Sequence, residues 1–208
     1  MSAHPVIWLV DDDPDVRAAL SMMLRGAGFR IQAFADARAL LDAVNPECRG
    51  CLIIDVRLGD INGLELQRIL IERHIHMPRL FITGHGDIPL AVEAVTQGAL
   101  DFLEKPLDDE GLIARVEQAI AADHEWAIAH EEVTRTEMLI NFLTPRETEV
   151  MALMVEGLPS KRIATRLGAG VRTIEVHRAR VLEKLEVANS AELIRRVIQI
   201  PRYNPQKR

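Results

Sequence analysis

Residues 6–14 read Val6-Ile7-Trp8-Leu9-Val10-Asp11-Asp12-Asp13-Pro14, five apolar side chains running straight into three carboxylates and a proline. Five apolar residues without polar alternation suit a strand buried on both faces and are too few for a helix. Asp13 is placed to cap the helix that Pro14 opens, because its carboxylate accepts from the first free amides and proline lacks an N–H that is not needed there. Val16, Leu20, Met23, Leu24 and Ala27 then share one stripe until Gly28 stops it. A buried strand, a polar turn and an amphipathic helix form the first half of a parallel-sheet unit.

The same texture repeats outward. Short apolar runs at Arg30 to Phe34, Cys51 to Val56, Arg79 to Thr83 and Asp101 to Glu104 predict four more strands. Helical patterns fall at about 36 to 44, 63 to 74, 87 to 97 and from 109 onward, so the fold class is α/β with a five-stranded parallel sheet. After Leu107 no breaker intervenes until about Leu143, which predicts a long connecting helix. Trp126, Val133 and Ile140 repeat every seven residues with Ala129, Thr136 and Leu143 between them, a spacing that suits either a short coiled-coil seam or an amphipathic helix lying on its own domain.

At Thr144 the texture changes. Thr144-Pro-Arg-Glu147 is a capping box with proline at the first helical position, and this helix should end at Gly157. Ser160 is expected to cap a second helix ending at Gly168, a third should run from Gly170–Arg172 to Leu185, and Ser190 is expected to cap a fourth. The tail from Pro201 to Arg208 reads as disordered. The expected domains are therefore 1–120, a helical linker 121–142, an all-α four-helix domain 143–200 and a flexible tail 201–208.

Composition narrows the function classes. With 208 residues, 48% apolar and 27% charged, the chain is an ordinary globular protein of one or two domains. No apolar run approaches the ~18 residues of a membrane helix, and the amino terminus lacks a basic-then-apolar leader, so a cytoplasmic protein is expected. Cys48 and Cys51 stand at C-x-x-C spacing, but without a second ligand pair they read as small residues in or beside a strand. The net charge of −6 hides an asymmetry: residues 1–120 carry 11 basic and 19 acidic side chains, 121–143 carry 1 and 5, and 144–208 carry 13 and 7. An acidic front and a basic back point to nucleic acid as a partner of the second half.

In an open parallel sheet, ligands bind outside the carboxyl ends of the strands. Asp11, Asp12 and Asp13 follow strand one, Asp55 ends strand three, Thr83 ends strand four and Lys105 follows strand five. Clustered carboxylates repel and are relieved by a hard divalent cation such as Mg2+, while a lysine beside them pairs with an anion. The set suits phosphoryl transfer to a carboxylate nucleophile. Asp11-Asp12, Asp55, Thr83 and Lys105-Pro106, in that order, resemble the receiver domain of bacterial two-component response regulators, whose fold is flavodoxin-like. The resemblance implies that Asp55 accepts a phosphoryl group from a sensor histidine kinase, and that Asp12, Asp55 and the Arg57 carbonyl ligate Mg2+ while Asp11 binds it through water. It also implies that Lys105 pairs with the phosphoryl group, that Thr83 moves to hydrogen-bond it, that Phe102 is the aromatic switch, and that the Lys105-Pro106 bond is cis. Leu58-Gly59 departs from the family's Met-Pro and suggests a more flexible loop.

In the basic half, with Ile174, Val181 and Leu185 buried, the opposite face of the third helix carries Arg172, Thr173, Val176, Ala179, Arg180 and Glu183. Arginine and threonine suit phosphates, and valine and alanine suit thymine methyls, as in a major-groove surface. Glu175 stands at its edge, Arg178 and Lys184 lie nearer the core rim, and His177, at the core edge, reads as structural or as a backbone contact, not as a metal ligand. Lys161, Arg162 and Arg166 place a basic helix before it, as in a helix-turn-helix. Leu143-Thr-Pro-Arg-Glu-Thr-Glu-Val150, Lys161-Arg-Ile-Ala164, Arg172-Thr-Ile-Glu-Val-His177 and Glu183-Lys-Leu185 resemble the LuxR-type helix-turn-helix domain. With Thr83-Gly-His-Gly86 and Glu104-Lys-Pro106, the whole is similar to the FixJ subgroup. Gly170-Val171 replaces the family's Ser-Pro, a weaker N-cap.

The resemblance implies that phosphorylation reshapes the face around strand five, that two copies dimerise there, and that double-stranded DNA is bound to regulate transcription, with RNA polymerase open as a further partner. A non-enzymatic regulator is expected. Rival readings are a haloacid-dehalogenase-type phosphatase, which would place a second aspartate where Arg57 stands, an RNA-binding antiterminator, and a protein-interaction output that no longer binds DNA.

Overall fold

A computed structural model of the chain describes residues 5–59, 61–84, 88–200 and 203, with the backbone alone at 88, 89 and 91. It divides into two compact units that meet in the chain between Trp126 and Ala127.

In the first unit the strands are β1 (Val6–Val10), β2 (Arg30–Phe34), β3 (Gly50–Asp55), β4 (Arg79–Thr83) and β5 (Asp101–Glu104), and the helices are α1 (Pro14–Gly26), α2 (Ala37–Ala43), α3 (Gly63–Glu72) and α4 (Ile88–Thr96). The sheet has the order β2-β1-β3-β4-β5 and every pairing is parallel. Strand alternation sends Trp8, Val10, Leu52, Ile54 and Phe81 to one face, where they meet Leu40, Leu66 and Leu70. Ile7, Leu9, Ile53 and Ile82 go to the other, against Leu20, Leu24, Leu112 and Val116. All six residues of β3 are buried, whereas edge strand β2 has none buried. β3 starts and ends one residue before the predicted run, because Gly50 already pairs with Val6. Its φ of +122° needs glycine, and a Cβ there would lie 2.0 Å from the Val6 carbonyl oxygen. The chain leaves β1 toward β2 on one side and reaches β3 on the other, so a crevice opens between the carboxyl ends of β1 and β3.

Helix α5 (Asp109–Ile140) belongs to the first unit through Leu112, Val116 and Ala119 and to the second through Val133 and Ile140. Of the two readings of its heptads, the structure favours the amphipathic helix on its own domain. Trp126 stacks on His76 at 4.4 Å within the first unit, while Thr136 and Ile140 are buried in the second.

The second unit adds α6 (Pro145–Val155), α7 (Ser160–Leu167), α8 (Val171–Lys184) and α9 (Ser190–Val197), the four predicted short helices. They close on Val150, Met154, Ile163, Ile174, Val181, Leu185, Leu193 and Val197, each aliphatic side chain contributing about 1.5–3 kcal/mol on burial. The capping box at Thr144 and Glu147 is complete. Two caps differ from the expected residues. Pro159 occupies the N-cap of α7, with no side-chain cap bond, and Ser160 is already helical. Asn189 caps α9 by accepting from the Glu192 amide, which leaves the Ser190 hydroxyl to accept from Arg178. Of the tail expected to be disordered, residues 201, 202 and 204–208 lie outside the described residues.

Candidate functional site

The crevice gathers what the strand ends supply. Asp11 is 1% exposed; one carboxylate oxygen accepts from the Asp13 amide at 2.9 Å and the other from Lys105 Nζ at 3.0 Å. The same ammonium lies 3.2 Å from Asp55. A carboxylate oxygen from each of Asp11, Asp12 and Asp55 falls within 4.8 Å of the others. Arg57 follows β3, and its backbone N–H donates to Asp55. Asp13 turns away to cap α1, accepting from the amides of Asp15 and Val16.

Burial pushes the Asp55 carboxyl above its ordinary value, and Asp11 adds to the push against the opposing pull of Lys105 and the Arg57 amide. Burial works against the Lys105 ammonium, but its hydrogen bond to Asp11 and the charges of Asp55 and Asp11 outweigh that and hold it raised. Three carboxylates face one ammonium, so the cluster keeps an excess of negative charge and hard oxygen donors. That donor set fits a Mg2+ ion, which takes one or two carboxylates and completes its shell with water and phosphate oxygens.

Thr83 ends β4 and is 1% exposed; its carbonyl accepts from the Lys105 amide at 2.7 Å, which ties β4 to the Lys105-Pro106 turn. That Lys-Pro bond is cis. Phe102 sits in β5 in register with Phe81 and is half-buried. His85 and Gly86 of the Thr83-Gly-His-Gly86 motif lie outside the described residues.

Leu58 is buried and Gly59 takes a φ of +54°. The departure from Met-Pro therefore still plants one apolar side chain in the core.

Two site residues were not anticipated. Arg17 reaches back from α1 and donates to the Asp11 carbonyl at 2.7 Å, holding the turn between β1 and α1. Gly63 opens α3 so close to β3 that a Cβ would lie 2.6 Å from the Asp55 carbonyl oxygen. Its local signal is the Asn62-Gly63 pair, seven and eight residues after Asp55, which reads equally well as an ordinary helix start.

In the second unit, Arg172, Thr173, Val176, Ala179 and Arg180 are all exposed on α8, with Glu175 and Glu183 beside them, and Lys161 is exposed on α7. The core-rim cations are structural. Arg178 donates to the Leu158 carbonyl and the Ser190 hydroxyl, and Lys184 pairs with Glu147 at 2.6 Å. The hydrogen bond from Lys184, followed by that from the Thr144 amide, holds the Glu147 carboxyl down at about 2. His177 is half-buried. Cys51 is buried, and burial pushes its thiol up to about 12, which removes the thiolate a redox pair needs. Among the described residues, no helix is long and apolar enough to cross a membrane.

The family model of the response regulator receiver domain matches residues 7–117, and that of the bacterial regulatory proteins of the luxR family matches residues 141–197. The chain is a response regulator. A receiver joined to a LuxR-type DNA-binding domain is the build of a two-component transcription regulator. This response regulator is 42% identical over 189 residues to the transcriptional regulatory protein FixJ of Azorhizobium caulinodans, covering 91% of this chain and 90% of the relative. It is 38% identical over 194 residues to nodulation protein W of Bradyrhizobium diazoefficiens, covering 93% and 86%. Among solved structures it resembles the response regulator StyR with a TM-score of 0.79 and 39% identity, over 94% of this chain and 98% of that one. Full-length FixJ from B. japonicum gives a TM-score of 0.59 and 38% identity, over 95% and 98%.

Proposed function

We propose that Asp55 is the phosphoacceptor of this response regulator and that its phosphorylation controls DNA binding by the second unit. The observation that carries the reading is Lys105 Nζ set between Asp11 and Asp55, 3.0 and 3.2 Å away, at the crevice between β1 and β3. A carboxylate oxygen of Asp55 attacks the phosphorus of a sensor kinase's phosphohistidine. The new P–O bond forms as the P–N bond breaks, and the imidazole nitrogen leaves with the electron pair. Asp11, Asp12, Asp55 and the Arg57 carbonyl would hold Mg2+, which supplies charge neutralisation for the phosphoryl oxygens. Lys105 exchanges its bond to the Asp55 carboxylate for one to the phosphoryl group, and Thr83 turns its hydroxyl toward the same group.

Residues 1–120 act as the phosphoacceptor domain, 121–142 as the helical linker, 143–200 as the DNA-binding domain and 201–208 as a tail. Phosphorylation adds nearly two negative charges, and Thr83 and Phe102 relay the change to the face around β5. Exposed Val92 (62%) and Val95 (51%) on α4, next to β5, give that face the apolar surface for dimerisation. Two copies of α8 are then presented about one helical turn of duplex apart. Lys161, Arg172, Thr173 and Arg180 hold phosphates and base edges, while Val176 and Ala179 meet thymine methyls. The regulator works in the bacterial cytoplasm, where its DNA is, and does not turn over substrate.

Intact-mass measurement with a small phosphodonor and Mg2+ tests the phosphoacceptor. One phosphoryl group per chain, lost in Asp55→Asn, is expected. Modification that persists in Asp55→Asn, or rapid multiple turnover of the donor, contradicts the assignment and favours the phosphatase reading.

A further inference from the structure

Along the second unit's part of α5 and the turn after it, Ile128, Glu131, Arg135, Met138 and Phe142 follow one another at steps of three, four, three and four residues. That spacing puts the first four on one stripe of α5, and Phe142 lies in the turn just beyond it. All five are exposed, Ile128 by 55%, Met138 by 60% and Phe142 by 74%. The stripe is distinct from Val133, Thr136 and Ile140, which the unit has spent on its own core. The exposed residues thus keep heptad spacing on a different face from the one the apolar repeat suggests.

We propose that this stripe binds the same stripe of a second copy of the chain, antiparallel. The charges decide the direction. In a parallel pair Arg135 would face the partner's Arg135 on the seam, with like charges opposed. In an antiparallel pair with Glu131 opposite the partner's Arg135, Ile128 falls opposite the partner's Met138, because both pairs share one midpoint. The two-fold repeats each contact, giving two ion pairs flanked by two apolar pairs. Arg135 already pairs with Glu186 through one guanidinium nitrogen, but the group has five N–H donors and its side chain is 66% exposed. Four positions per chain make a small contact, so the dimer is weak and depends on concentration. No stripe residue belongs to the phosphoacceptor unit, so the pairing does not require the phosphoryl group and is separate from the β5 face.

The test uses the full chain without phosphodonor. Sedimentation velocity over a concentration series should show a monomer–dimer equilibrium that Glu131→Arg and Arg135→Glu each weaken by about tenfold, and that the double reversal restores. Thermal melting of each variant checks folding, since Arg135→Glu also opposes Glu186. Cysteine cross-linking fixes the direction without charge changes. In a Cys48→Ser background, Ile128→Cys chains mixed with Met138→Cys chains should form a mixed disulfide, and Ile128→Cys chains alone should not. A monomer at every concentration, single reversals without effect, or a disulfide between two Ile128→Cys chains overturns the proposal.

Discussion

At the scale of the residue, the site is governed by one ammonium shared between two carboxylates. Asp11 and Asp55 are buried and Asp12 is exposed, so Asp12 gives the cluster a solvated corner through which a cation and a phosphodonor would arrive. The raised Asp55 carboxyl has a stability consequence whose sign follows from linkage. Its favourable contribution is present below the ordinary carboxyl value of 3.8 and is lost as pH rises through the higher folded value. Without a divalent cation, Asp55→Asn is therefore expected to melt above the parent at neutral pH, with the gap closing toward pH 4. Mg2+ works against that order: at ten times its dissociation constant it should stabilise the parent by about 1.4 kcal/mol and the Asp55→Asn variant by much less. Calorimetric scans at two pH values with and without Mg2+ measure both, and equal Mg2+ shifts in the two proteins would contradict the ligand set. These residues were legible in the sequence because each is a polar side chain ending an apolar run. Arg17 and Gly63 were not, because their roles depend on where α1 and α3 pass over the sheet, which no local pattern encodes.

At the scale of the element, caps and close approaches decide where chemistry can sit. Gly63→Ala is expected to push on the Asp55 carbonyl through the added Cβ, destabilising the first unit by about 1–3 kcal/mol as an overpacking change and slowing phosphorylation of Asp55. Denaturant melts and the rate of phosphoryl uptake check this, and an unchanged rate would mean that the loop absorbs the methyl group. In α6, Glu147 serves both the capping box and Lys184. Its carboxyl is held down at about 2, so its stabilisation is present above the ordinary value of 4.5 and fades as pH falls toward 2. Glu147→Gln should lower the melting temperature of the second unit at pH 7, with the loss shrinking below pH 4. The capping box was readable because Thr144 and Glu147 stand three residues apart, whereas the Lys184 bond spans 37 residues and belongs to the tertiary fold. Residue type alone points to Ser160 and Ser190 as caps. The chain places Pro159 and Asn189 there instead, since both caps lie one position earlier and an asparagine fills the role equally well. The long helix was legible in extent but not in face, because its apolar repeat cannot say whether a seam meets another chain or its own domain.

At the scale of the whole molecule, the net charge of −6 averages an acidic first half and a basic second half, and the two belong to separate compact units. DNA affinity should accordingly rest on the exposed cations of α7 and α8 and on bringing two such units together. Arg180→Ala is expected to weaken binding to every sequence alike and to reduce the slope of log affinity against log salt by about one. Titrations of operator and unrelated duplex at several salt concentrations read this, and an unchanged slope removes Arg180 from the phosphate contacts. Joining the two units functionally requires that the Asp55 site control the DNA-binding half. The most direct measurement is the affinity for a target duplex, recovered from genomic DNA, of the full chain and its Asp55→Asn variant with and without a phosphodonor and Mg2+. The phosphodonor is expected to tighten binding of the parent by at least about tenfold, an ordinary coupling energy, and to leave Asp55→Asn unchanged. Equal affinities of the two proteins under phosphodonor would contradict it.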